Sequence, residues 1–175
     1  MAVREILRLG NPLLRRRSEA VENFDTPELR TLIEDMKQTM AAANGAGLAA
    51  IQIGVPLRVM IFGFQFNPRY PDAEPVPQTV IINPSFDVLS EDRSADWEGC
   101  LSVPGMRGWV PRHDRIHYQG VELGGQAIEC DAVGFHARVF QHEFDHLDGI
   151  VYPDRIEDRQ RFGFIEELQA SGAFD

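Results

Sequence analysis

Apolar positions along the chain repeat with two different periods, and the changes of period mark out the elements. Leu29, Leu32, Ile33, Met36 and Met40 recur at helical spacing and share one face. Thr26-Pro27-Glu28 precedes them with a hydroxyl cap, a proline suited to the first helical position and an acid for the first turn. Asn44-Gly45-Ala46-Gly47 should stop this helix, glycine supplying the positive φ that helix ends favour. The β-branched-rich runs Leu57 to Phe62 and Thr79 to Ile82 read as strands. Between them Asn67 to Pro77 holds Pro68, Pro71, Pro75 and Pro77, which predicts a surface loop, an elaboration away from the chemistry. Arg115 to Leu123 and Gln126 to Cys130 flank Gly124-Gly125 as a β-hairpin. Asp131 is expected to cap a second helix running to about Asp148, with Gly149 just past its end. A third, amphipathic helix is expected near Arg155 to Leu168. Helices thus bracket a block of short strands. That is an α+β fold, in one domain over residues 1–175, with no internal repeat or linker.

Composition changes this picture by exclusion. Hydrophobic residues make up 43% of the chain, enough for a core and against disorder. Acidic side chains outnumber basic ones 27 to 17, a formal net charge of -10. Such a surface repels phosphate backbones, so no direct nucleic-acid partner is expected without a local basic patch. No run approaches the roughly 20 apolar residues of a membrane span. The basic residues near the N-terminus are interspersed with Glu5 and Glu19 and lack the apolar stretch of a signal peptide. The expectation is a cytoplasmic protein with Cys100 and Cys130 reduced.

The densest chemistry lies in Gln141-His142-Glu143-Phe144-Asp145-His146. On a helix His142 and His146 stack on one face, so two imidazoles can hold a metal beside the carboxylate of Glu143. The bland alternative is a surface helix with two solvated histidines. Phe135, Val139, Phe140, Phe144 and Leu147 occupy more than one face of this helix, which predicts burial, and buried imidazoles need partners that a metal provides. Glu157, Glu166 and Glu167 follow at spacings that allow a third ligand, and Cys100 is the alternative. His136 lies roughly 120° around the helix and should not share the ligand. His113 and His117 default to ordinary polar roles, and Cys130 to a small buried apolar one. Asp145 is a candidate to support the ligands, pairing with Arg112, or to form a simple structural ion pair.

Two further motifs are Glu98-Gly99-Cys100-Leu101-Ser102 and Gly45-Ala46-Gly47-Leu48-Ala49-Ala50-Ile51-Gln52. The second contains G-x-G-x-x-A, but a dinucleotide site needs a strand before it and a helix after it, and here the order is inverted. With Gln141 to His146, and with the opening Ile6 to Arg15, these segments resemble the peptide deformylase signature set over most of the chain. The resemblance implies an α+β fold with a mixed or antiparallel sheet system around a central metal helix. It implies that Cys100, His142 and His146 bind one divalent metal, Fe(II) physiologically, with zinc, nickel or cobalt able to substitute. Glu143 would be the general acid/base, and Gln52 and the Leu101 N–H the oxyanion hole. Gly47 and Gly99 would hydrogen-bond an extended peptide, with Arg107 and Val139 close to it.

The implied substrates are N-formylmethionyl peptides, and the reaction is removal of the formyl group as formate. Ala46 replaces a bulkier aliphatic often found at that motif position. The C-terminal segment from Glu166 to Asp175 is acidic, so the basic ribosome-docking helix of some relatives is not expected. A zinc peptidase and a non-catalytic metal-binding or ribosome-associated module are the rival readings.

Overall fold

The computed structural model describes residues 2–174. Its elements are α1 (Pro27–Ala42), β1 (Gly47–Ala49), β2 (Val59–Phe64), β3 (Val76–Val88), β4 (Arg93–Cys100), β5 (Val103–His113), β6 (Arg115–Val121), β7 (Ala127–Val133), α2 (Gly134–Leu147), β8 (Phe162–Phe164) and α3 (Ile165–Ala170). Five strands form one sheet in the order β1-β2-β3-β6-β7, and three form a second in the order β4-β5-β8. Each pairing of these strands is antiparallel.

Strand β2 shows how the core is arranged. All six of its residues are buried, and alternate side chains point to opposite faces. Val59 and Ile61 join Leu29, Leu32, Ile33, Met36 and Met40 of α1 in one apolar cluster. Met60, Phe62 and Phe64 join Val139, Phe140 and Leu147 of α2 in another. The large sheet therefore has one helix on each face, which is why β2 reads as a continuous apolar run rather than an alternating one. Phe140 lies at the centre, stacked on Tyr118 at 4.4 Å and edge-on to Phe62 at 6.0 Å.

Several local expectations survive with small shifts. Thr26 Oγ1 accepts from the Leu29 N–H, a cap contributing about 1 kcal/mol. The residue past α1 with positive φ is Asn44 (φ 50°), not one of the glycines, and asparagine tolerates that conformation. The hairpin β6–β7 forms as expected. Asp131 does not cap α2: it lies within β7, opposite His117, and the helix begins at Gly134. Gly149 does follow α2, with φ +75° and a space so tight that a Cβ would sit 2.6 Å from the Arg15 carbonyl oxygen.

The expected helix over Arg155 to Leu168 is mostly absent. Short 3-10 turns occupy Tyr152–Arg155 and Arg159–Arg161, and Phe162–Phe164 adds to the edge of β5, leaving only Ile165–Ala170 helical. Pairing with β5 overrides the helical periodicity there. No helix among the described residues is long and apolar enough to cross a membrane.

Candidate metal centre and active site

α2 carries His142 and His146, and the bulged end of β4 carries Cys100. One ligating atom from each of the three lies within 4.8 Å of the others, with Cys100 Sγ 3.2 Å from His146 Nε2. Of the candidates for a third ligand, Cys100 is the one that lies in this cluster, and Glu157, Glu166 and Glu167 are not in it. Burial opposes charge on the sulfur, but the two imidazoles outweigh it and hold the Cys100 thiol well below its ordinary range, as a thiolate. His142 Nδ1 faces Glu98 Oε2 at 2.8 Å, which places the proton on Nδ1 and leaves Nε2 free to ligate. Neither cysteine is in a disulfide, and Cys130 is only half-buried.

Glu98 was not singled out from the sequence, yet it organises the centre. Its carboxylate accepts from Arg112 Nε at 2.9 Å and Nη2 at 3.0 Å, and from Arg138 Nη1 at 2.9 Å. Burial would raise its pKa; Arg112 and His142 prevail and keep it well below the carboxylate range. Arg112 also donates to Asp145 Oδ2 at 2.6 Å, so Asp145 does pair with Arg112. Arg138 reaches the carbonyls of Val110 and Ser94, tying α2 to both strands of the β4–β5 pair. Gln141 meets the N–H and C=O of His113 with its own amide. The ligand helix is thereby fixed against the small sheet by buried, charge-assisted bonds.

On the cavity side one carboxylate oxygen is left open. Glu143 is 4% exposed, and its Oε2 has no hydrogen-bond partner among the described residues. Burial pushes its pKa up to about 7, against the opposing pull of the two histidines. Gly47 lies against this carboxylate so closely that a Cβ there would sit 2.4 Å from Oε1. Gln52, in the 3-10 turn Ala50–Ile53, is 2% exposed and not at a strand edge. Its Oε1 accepts the Ala49 N–H at 2.8 Å, which turns Nε2 towards Ser102 Oγ at 3.1 Å and Cys100 Sγ at 3.5 Å.

A narrow cavity, partly open to solvent, is lined by Gly47, Gln52, Gly99, Cys100, Leu101, Val139, His142 and Glu143 among others. Arg69 and Tyr70 line it too, so the Pro-rich loop is part of the site and not remote from it. Arg107 lies outside this lining: its guanidinium crosses Gly99, where a Cβ would come within 1.4 Å of Nη1, and stacks 5.2 Å from the Tyr70 ring. His136 pairs with Tyr118 and His117 with Asp131, away from the ligands.

Thiolate and imidazole donors that converge beside an orphaned buried carboxylate suit a borderline divalent metal and a proton-transfer partner. Fold and site together define a metal-dependent hydrolase. The sequence profile of the polypeptide deformylase family matches residues 3–162. Peptide deformylase 1 of Nitrosomonas europaea is 56% identical over 166 residues, covering 95% of this chain and 94% of its own. Peptide deformylase 2 of Ralstonia nicotianae is 58% identical over the same coverage. Among solved structures, the Met-Ala-Ser-bound class I type b peptide deformylase of Acinetobacter baumannii superposes with a TM-score of 0.85 at 36% identity, over 89% of this chain and 99% of that one. The chain belongs to the peptide deformylase family. It is a metal-dependent enzyme that removes the formyl group from N-formylmethionyl nascent peptides, releasing formate.

Proposed function

We propose that Cys100, His142 and His146 hold the metal and that Glu143 transfers the proton. The observation that carries this reading is the orphaned Glu143 Oε2, buried in the cavity that Cys100 and His142 also line. A divalent ion held there supplies Lewis acidity and can lower the pKa of water from 15.7 to about 7. A thiolate ligand offsets part of that acidity, which makes a positioned base more necessary. Glu143 takes a proton from water as the water oxygen attacks the formyl carbon. The C–N bond then breaks, and Glu143 delivers that proton to the departing methionyl amine. Gln52 Nε2 and the Leu101 N–H donate to the carbonyl oxygen as it becomes negative.

Gly47 and Gly99 offer main-chain groups to an extended peptide, and their missing Cβ atoms make room for the Glu143 carboxylate and the Arg107 guanidinium. Val139 contributes apolar lining, and Arg107 supports Gly99 from behind. The physiological metal is Fe(II), with zinc, nickel or cobalt able to occupy the site, and the whole chain acts as one domain in the cytoplasm. The acidic C-terminal segment offers ribosomal RNA no electrostatic attraction, so any ribosome contact is transient. The test is formate release from formyl-Met-Ala-Ser by protein purified without oxygen, stripped of metal and reloaded ion by ion. Activity should vanish on stripping and return best with Fe(II). Absence of formate with every divalent ion would overturn the assignment of roles.

A further inference from the structure

The two sheets meet the cavity at their edges. β1 is the edge of the large sheet and β4 the edge of the small one, and Gly47 and Gly99 carry them into the cavity wall. The β4–β5 register runs from Arg93 to Glu98 and resumes at Cys100, skipping Gly99 at the bulge. Gly99 nonetheless has both backbone groups occupied. Its N–H donates to the Tyr70 hydroxyl at 3.1 Å, and that hydroxyl donates back to the Gly99 carbonyl at 3.2 Å. One acceptor and one donor are what a neighbouring antiparallel strand offers an edge residue.

Tyr70 belongs to neither sheet. It comes from the Pro-rich connection between β2 and β3, and its ring packs on Phe135 at 4.9 Å and under Arg107 at 5.2 Å. The connection is pinned at its start, where the buried Asn67 side chain donates to the Asn44 carbonyl and accepts from the Arg69 N–H. Beyond that anchor the backbone around Tyr70 is held by two successive turns, Tyr70 N–H to Asn67 C=O and Ala73 N–H to Tyr70 C=O, and by Arg107 Nη2 donating to the Arg69 carbonyl at 3.5 Å. The ring is also a partition: Tyr70 lines both the site cavity and a second cavity walled by Asp96, Trp97 and Arg107.

We propose that Tyr70 stands in for the peptide main chain at Gly99 and is displaced by substrates long enough to pair with the β4 edge, so that it sets the enzyme's response to chain length. This rests on the deformylase reading, in which an extended peptide lies between β1 and β4. A peptide must release Tyr70 before it can bond Gly99, and its apparent affinity falls by the fraction of molecules in which Gly99 is free. Longer peptides gain enough contacts to carry that cost, and opening the partition joins the two cavities.

The test is Tyr70→Phe, which keeps the ring on Phe135 and Arg107 and removes only the hydroxyl. Calorimetric binding of Met-Ala-Ser to the metal-loaded variant should be about 30-fold tighter than to the parent, the net worth of the two hydrogen bonds to Gly99. In a series of formyl-Met substrates of increasing length, the variant's gain in kcat/KM should grow with length. A crystal structure of the unaltered enzyme with Met-Ala-Ser should show Tyr70 Oη withdrawn from Gly99 and peptide atoms in its place. Equal or weaker binding by the variant, or Tyr70 still bonded to Gly99 beside a bound peptide, would overturn the proposal. Failure of the deformylase reading shows separately, as absence of formate from the unaltered enzyme.

Discussion

On the side of α2 that meets β4 and β5, buried charges are matched: Arg138 with Glu98, Asp145 with Arg112, and His142 Nδ1 with Glu98. Facing β1 and the cavity, Glu143 is as deeply buried, yet one of its oxygens has no partner among the described residues. A single helix of 14 residues thus holds both a saturated polar network and an open polar group. Folding alone favours saturation, because an unpaired buried polar group costs about 1–3 kcal/mol. Other buried atoms among the described residues are unpaired as well, Ser18 Oγ and Tyr152 Oη included. It is therefore the place of Glu143 in the cavity wall, beside the Cys100, His142 and His146 cluster, that marks it for chemistry, with the network keeping that cluster in register.

Breaking the saturated side should have the largest effect on stability. Glu98→Ala leaves Arg138 without its carboxylate and Arg112 with Asp145 alone. It should cost about 3–5 kcal/mol in denaturant unfolding, the usual result of stranding a buried charge. Because His142 loses the acceptor for Nδ1, metal affinity should also fall by about 10–100-fold in a competition titration. A smaller effect on stability, with a large one on turnover, is expected on the cavity side. Gln52→Leu removes a donor aimed at the reacting oxygen and should lower kcat by the equivalent of about 2.7–4 kcal/mol. Its unfolding free energy should also fall, by about 1–3 kcal/mol, since the change strands the buried Ala49 N–H and removes the Nε2 contacts to Ser102 Oγ and Cys100 Sγ. Near-normal turnover in that variant would take Gln52 out of the mechanism.

What the sequence made legible follows the same division. Elements specified by neighbours in the chain were readable: the Thr26 cap, the apolar face of α1, the β6–β7 turn and the His142–His146 spacing. β4 and β5 were not, because Arg93–Cys100 and Val103–His113 mix charged, aromatic and glycine residues without clean alternation. The cysteine proposed as third ligand lies 46 residues from His146, and only a family motif singled out Cys100 from the other candidates. Glu98 stands two residues before that cysteine, but its arginine partners are 14 and 40 residues away, and no local pattern connects them. Tyr70 was hidden for a related reason. Proline content correctly predicts a loop, but cannot say that the loop folds back over the edge of another sheet.

The most direct test of the contrast is Glu143→Gln, measured twice on the metal-loaded protein: formate release from formyl-Met-Ala-Ser and free energy of unfolding. The group is buried, nearly isosteric with its replacement, and unpaired at Oε2. The account predicts formate release reduced by about 10²–10⁴-fold, the worth of a positioned general base, with stability unchanged or higher. Turnover that persists while the fold loses stability would contradict it, and would place Glu143 with the structural network instead.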